Sequence, residues 1–434
     1  MQDWIVVQAS LFDTAAASPV VTTRHQSAFG DLCTTRRDMV RKVLAAIEID
    51  PGGEGGLQLR RMPTQSAEAY EAYLWGRAAL RELSPEGAAS ALAHFERAVS
   101  ADSGFTEAQS ALGWASVLMY EQHPDPPGSL LNQALSCVQR SVELGLVSSE
   151  TFRVWGMVEV FRAQHAKSLE RFEDAVRVAP SDAEAQRRLA VACLVAREYD
   201  GAMKAAQAAL VVDPINVETQ TVAGMVYQFL GQYVYAGAGQ GGESRERMAT
   251  ALQAYQRGIQ LSRDPSEYGS GLPAELLVYI QQHDRAVDIL TDRLARVRDS
   301  YGDLYRLARI EQSAGLAKTE WQTTLLRAKT TLREYLSEVP EDALALSYLA
   351  LVHTRLGEFK EALAAIKEAQ TLAPRNLDVL YNTARMYTLQ RNKAKALETL
   401  AMAVQRRFSL PQLLDMDFYN LRSEESFLDT VLQP

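Results

Sequence analysis

Cysteine is scarce in this chain, with three in 434 residues at Cys33, Cys137 and Cys193. They lie far apart and form no C-x-x-C pair, so neither a zinc site nor a disulfide framework is indicated. Histidine is thinly spread as well. His25, His94, His123, His165, His283 and His353 show no H-E-x-x-H motif and no i,i+4 pair, and structural or surface roles account for them. No G-x-S-x-G elbow is present, and no cysteine has a histidine at motif spacing. Apolar runs are short, none approaching the ~18 residues of a membrane span. The opening Met1-Gln2-Asp3-Trp4-Ile5-Val6-Val7 has neither a basic start nor a long apolar core, which excludes a signal peptide. These absences imply a soluble, non-catalytic chain without metal or cofactor, expected in the cytoplasm. A periplasmic location would follow if it were part of a longer membrane-anchored protein.

Apolar residues are plentiful at 47%, and a charged fraction of 23% is ordinary for a soluble protein. The net charge of -9 argues against direct nucleic-acid binding, which draws on clustered Lys and Arg. The strongest pattern is a spacing. Pro180 and Pro214 stand 34 residues apart, as do Pro340 and Pro374. Ala183-Glu184-Ala185, Leu189-Ala190, Tyr199, Ala202 and Ala209 in the first interval correspond to Ala343-Leu344-Ala345, Leu349-Ala350, Phe359, Ala362 and Ala369 in the second. That period marks tetratricopeptide (TPR) helix-turn-helix repeats. One such unit cannot bury its apolar face alone, so units stack into a solenoid. The fold class is therefore all-α, a TPR α-solenoid with a short N-terminal β-β-α segment.

Residues 1–60 form that separate segment. Trp4 to Phe12 and Val20 to Arg24 have strand composition, with Ala15 to Pro19 as the turn. Leu32 to Ile49 is helical in period, with Met39, Val40, Val43, Leu44 and Ile47 on one face. The run Pro51 to Gly56 is a linker. Residues 61–408 hold about nine units of ~34 residues each. Small residues where the paired helices approach include Gly113, Gly156 and Gly224, and Val142 is placed on a packed face with Ala134 and Val138. The fifth unit is split by a glycine-rich insertion, Tyr235 to Glu246, before its second helix resumes at Met248. Gly237, Gly239, Gly241 and Gly242 lack the preceding strand and Lys-Ser/Thr of a phosphate loop. Residues 272–340 read as two divergent units, and 409–434 as a helical cap over the last apolar face.

Three stretches resemble a bacterial family in which a TolB-like (FlgO-like) α/β domain precedes a TPR array. Val6 to Thr14 resembles the late strand of that domain, Asp31 to Ile47 its closing helix, and Thr64 to Ala98 the entry into the first repeat. Leu421 to Phe427 is similar to the closing motif that follows such arrays. The resemblance implies a role in signalling or assembly. In the family an output module, such as a kinase, a cyclase or a winged-helix DNA-binding domain, often stands before the α/β domain, and this chain matches none of them.

Candidate partner-binding residues fall on the first helix of each unit, at positions 2, 5, 9 and 12, which face the groove of such an array. They are Tyr73, Arg77, Trp114, Arg153, Met157, Arg187, Tyr381 and Arg385. Arg153 and Arg187 occupy the same position 34 residues apart. Aromatic residues interleaved with arginine suit peptide recognition, and the arginine fork suits carboxylates. Some arginine on any helix face is structural, and aromatics also fill inter-repeat cores. The Lys/Asn set of a chaperone-type carboxylate clamp is absent. The expected function is a non-catalytic scaffold or adaptor for a protein or peptide. The alternative is the sensory moiety of a one-component signalling protein whose output domain lies outside the chain. Homo-oligomers through the N-terminal strands are a further expectation.

Overall fold

The computed structural model describes residues 4–13, 18–28, 63–82, 85–122, 127–145, 147–234, 241–261, 282–296, 300–406 and 414–421. It also describes positions 35, 38–39, 41–42, 45, 274, 277–278, 427 and 429–430. Two compact units result. The first comprises Met1–Gln122 with Gly128–Val147, the second Ser148–Pro434 with His123–Pro127.

In the first unit, β1 (Trp4–Asp13) pairs antiparallel with β2 (Ser18–Ala28). Pro19 lies inside β2 opposite Phe12, beside a register irregularity at Leu11/Phe12, and not in the turn where the sequence places it. Both strands of a two-stranded sheet are edges, so a residue without an N–H is tolerated there. Helical positions at Thr35, Asp38, Met39, Arg41, Lys42 and Ala45 follow, with Met39 buried. Val40, Val43, Leu44, Ile47 and the linker lie outside the described residues. Helices α1 (Ala67–Ala79) and α2 (Pro85–Ala101) form one hairpin, α3 (Thr106–Gln122) and α4 (Gly128–Glu143) the next. The buried stripe of α4 runs Ala134, Cys137, Val138, Ser141. Val142 lies one residue, ~100°, beyond it and is exposed, which corrects its assignment to the packed face.

The second unit continues the pattern. Its hairpins are α5 (Ser149–Phe161) with α6 (His165–Val178), and α7 (Ala183–Val195) with α8 (Tyr199–Val212). Then come α9 (Val217–Phe229) with α10 (Gly241–Leu261), a helix α11 (His283–Arg296), and α12 (Tyr301–Ser313) with α13 (Lys318–Glu338). The last are α14 (Ala343–Leu356) with α15 (Phe359–Leu372), and α16 (Leu377–Leu389) with α17 (Lys393–Arg406). A 3-10 turn, Met416–Leu421, follows. Helix α10 already begins at Gly241, so the split in the fifth unit is shorter than the sequence suggests. Glu243 in its first turn favours that early start.

Local chemistry repeats from hairpin to hairpin. The first helix starts on a side-chain cap: Ser148, Asp182, Asn216, Ser300, Asp342 and Asn376 each accept from a backbone N–H two or three residues on. Each cap contributes ~1 kcal/mol. That helix then ends on a left-handed residue at Ala163, Arg197, Gly315, Gly357 or Arg391. Within the hairpin, size is exchanged between partners. Gly76, Gly156 and Gly224 face the rings of Phe95, Phe172 and Tyr255, whose atoms would lie 2.5–2.9 Å from an added Cβ. Where the first helix carries Ala350 or Ala384 at the register of Gly156, the second carries Ile366 or Leu400, all fully buried. A Cβ at Gly156 or Gly224 must displace an aromatic ring in a full core, a loss of ~1–3 kcal/mol.

Candidate functional site

The second unit holds a buried ionic cluster that no single repeat could make. Tyr305 and Arg309 come from α12, Arg355 from the end of α14, and Arg385 from α16. Asp415 and Asp417 come from the 3-10 turn and the residue before it. Arg309 and Arg385 are each the ninth residue of their helix, so helix periodicity sends both toward the same face. Arg385 donates from Nε to Asp417 Oδ2 at 3.0 Å, and its Nη1 donates to Asn382 Oδ1 at 2.7 Å. Arg355 reaches Asp417 Oδ1 at 2.5 Å and donates from Nε to the Tyr305 hydroxyl at 3.0 Å. The Tyr305 hydroxyl donates to Asp417 Oδ2 at 2.9 Å. Arg309 bonds Asp415 at 2.5 Å and pairs with Asp417 at 3.2 Å. All three guanidiniums lie 5.2–5.5 Å from the centroid of the Tyr305 ring, a cation–π arrangement that gains strength when desolvated.

The cluster is nearly dry: the side chains of Arg309 and Asp417 are each 1% exposed. Burial alone would raise the Asp417 carboxyl, but Arg309, Arg355, Arg385 and the Tyr305 hydrogen bond outweigh it and hold it far below the usual range. Burial, with the negative charge of Asp417, pushes the Tyr305 phenol up to about 12 against the pull of the arginines. Apolar contacts continue the site. Leu414, Phe418, Leu421 and Phe427 share one buried cluster with Leu194 of α7, Phe229 of α9 and Leu380 and Tyr381 of α16. Arg197, at the end of α7, pairs with Asp429. The C-terminal segment thus lies along the first helices of several hairpins and does not only cover the last one.

The residues singled out from sequence fall in different places. Arg385 belongs to this cluster, and Tyr381 to the apolar cluster that also takes in Leu414 and Phe418. Arg153 and Arg187 do not: both are buried, and neighbouring repeats hold them. Arg153 donates from Nε to Asp182 Oδ2 at 3.0 Å, and the same carboxylate caps α7 through Ala185 N at 3.1 Å. Arg187 bonds Thr219 Oγ1 of α9 at 2.7 Å and also meets Glu184 and Glu218. Burial would raise Glu184, yet Arg188, Arg187 and Arg153 bring it down to about 2. Met157 is buried in α5. In the first unit, Trp114 is buried in α3, Tyr73 packs against the rings of Tyr70, Phe95 and Phe105, and Arg77 is exposed on α1.

Sequence reasoning missed Tyr305, Arg309, Arg355, Asp415 and Asp417. The register of Ser300 as cap would have put Arg309 at the ninth position, as in Arg385. Nothing local links Arg309 to Asp415, 106 residues away, or Arg355 to Asp417, 62 residues away.

Other reactive groups are quiet. Cys137 and Cys193 are buried and free, and burial with nearby glutamates pushes both thiols up to about 12. Among the described residues, no group of three or more His, Cys, Asp or Glu could hold a metal, and no helix is long and apolar enough to cross a membrane.

Comparison with known proteins bears on the repeats. Residues 154–215, 325–376 and 355–409 match the tetratricopeptide repeat model. The hairpins within those stretches match tetratricopeptide repeats. No curated protein matches the chain. Several solved structures resemble the chain in part. An IFIT1 monomeric mutant solved with Gppp-AAAA is 14% identical, over 78% of this chain and 77% of that one, with a TM-score of 0.50. A tetratricopeptide repeat protein from Parabacteroides merdae is 15% identical over 62% and 98%, TM-score 0.39. PilW, a type IV pilus biogenesis factor, is 18% identical over 53% and 96%, TM-score 0.35. At 14% identity the likeness to the IFIT1 mutant is one of fold alone. Repeat solenoids of this kind are typically binding proteins and not catalysts.

Proposed function

We propose that the chain is a non-catalytic TPR scaffold that holds a protein or peptide partner along the first helices of its repeats, in bacterial signalling or complex assembly. The observation that carries this reading is the cradle of Tyr305, Arg309, Arg355 and Arg385, which already grips an acidic segment. Aromatic and arginine anchors in a desolvated pocket are the usual source of binding energy at an interface. The other anchors inferred from sequence divide accordingly: Tyr381 lies in the apolar cluster with Phe418, whereas Arg153 and Arg187 act between repeats. In-cell cross-linking of the full chain, read by mass spectrometry, tests the reading. It expects partner cross-links on α12, α14 and α16. Cross-links confined to the outer second helices, or none above background, would count against it.

A second reading takes the chain as the sensory moiety of a one-component signalling protein. Its support is the stretch Val6 to Thr14, which resembles the late strand of a TolB-like domain and most of which lies in β1 of the hairpin Trp4–Ala28. Two strands are too few to be stable alone, so such a hairpin needs further sheet. An in-frame kinase, cyclase or DNA-binding module encoded upstream of Met1 would favour this reading, and its absence would remove it.

A further inference from the structure

We infer that the arginine cradle is an exchangeable peptide site whose resident ligand is the chain's own acidic segment around Asp415-Met416-Asp417-Phe418. A partner presenting a similar acidic-then-aromatic segment would displace it. The inference rests on the scaffold reading and specifies the chemistry of its ligand.

Charge balance is the first argument. Arg309, Arg355 and Arg385 all converge on Asp415 and Asp417, so the seated segment supplies carboxylates to all three guanidiniums. Emptying the cradle would take the carboxylates of Asp415 and Asp417 away from three guanidiniums gathered around one tyrosine ring. Concentrated like charge in a dry setting is strongly unfavourable. The occupant must therefore be anionic, and it is replaced more readily than it is removed.

The second argument is what the arginines are for. A buried ion cluster adds little stability over apolar packing of equal volume. At the same ninth position, α5 and α9 carry Met157 and Met225, both buried, so the fold accepts apolar residues there. Arginine at that position in α12 and α16 therefore points to recognition of carboxylates. The ligand side matches. Its grip consists of two carboxylates, the buried side chains of Leu414, Phe418 and Leu421, and a single 3-10 turn whose Asp417 N–H donates to Asp415 Oδ1 at 2.8 Å. That is the size and chemistry of a short linear motif. The donors converge on paired carboxylate oxygens and lie beside the apolar seat of Phe418, which favours an acidic peptide over a nucleic acid.

The third argument concerns the tether. A covalently attached ligand acts at an effective concentration in the millimolar range. It therefore masks the site against weak competitors while yielding to a tight or abundant one.

The test uses a fluorescein-labelled peptide with the sequence of residues 413–423 and the full chain. Binding is followed by anisotropy for the native chain and for the double variant D415N/D417N, in which the resident ligand is weakened and the cradle is intact. The variant should bind the peptide at least ~10-fold more tightly than the native chain, and a peptide with both aspartates changed to asparagine should lose that gain. Equal binding to both chains would overturn the inference and make the segment a fixed plug. Should the variant fold poorly, hydrogen exchange of the native chain decides. Excess unlabelled peptide should speed exchange at residues 414–421 and leave α16 unchanged, whereas protection equal to that of α16 with and without peptide would overturn the inference. Displacement by a short RNA but not by the peptide would overturn the assigned ligand class. Because the peptide comes from this chain, a failed exchange counts against this inference alone, and a missing natural partner counts against the scaffold reading.

Discussion

Two groups of arginines occupy the first helices of the second unit, and they differ in who answers their charge. Arg153 and Arg187 are met by Asp182, Glu150, Glu184, Glu218 and Thr219, all within the same or the next hairpin. Arg309, Arg355 and Arg385 are met by Asp415 and Asp417, which belong to no hairpin. The first group ties neighbouring repeats together, and one carboxylate, Asp182, both caps α7 and holds Arg153. The second group gathers three repeats around a separate segment. An arginine on these first helices therefore joins neighbouring repeats where the next repeat supplies the acid, and holds a segment from outside the hairpins where Asp415 and Asp417 supply it.

The sharpest way to break this contrast is Asp417→Lys, which puts a fourth cation among three. Denaturant unfolding of the full chain should show a loss of ~3–5 kcal/mol. A loss below ~1 kcal/mol would mean that the cradle tolerates an empty or cationic seat.

Acid should separate the two groups. Both Glu184 and Asp417 have lowered folded-state pKa values, so their contributions are fully present above the ordinary carboxylate range and fade as pH falls. For Glu184 the fading runs from ~4.3 down to about 2, with ~3 kcal/mol at stake. Asp417 is held lower still and stays charged through that window. Hydrogen exchange at pH 3 should loosen the junction of α7 and α9 before it loosens residues 414–421. The reverse order would contradict the charge assignments.

The smallest effect sets the baseline. Arg97 and Glu68 in the first unit form an ion pair with both side chains more than half exposed. Arg97→Ala should change stability by less than ~0.5 kcal/mol, measured by the same unfolding assay. A larger loss would show that exposure does not separate these pairs as argued.

Much of the fold was legible because it repeats. The 34-residue spacing, the caps at Asp182 and Asp342, and the glycines at 156 and 224 are local signals that one period reveals several times. The site was only half legible. The register that points to Arg385 and Tyr381 points equally to Arg153 and Arg187, and it says nothing of the acids on the next repeat that hold those two. Arg309 was obscured by a divergent stretch whose period is broken between α10 and α12. Asp415 and Asp417 could be seen as acidic residues in a terminal stretch. Their target is a matter of tertiary closure, which no local pattern encodes.

The contrast between the two groups comes to one measurement: the affinity of the residue 413–423 peptide for full chains carrying D415N/D417N, with either Arg385→Gln or Arg153→Gln added and helicity checked for each. Arg385→Gln should weaken binding by ~10-fold or more, in line with the loss of a charged hydrogen-bonding partner, and Arg153→Gln should leave it unchanged. Equal effects from the two substitutions, or none from Arg385→Gln, would contradict the account.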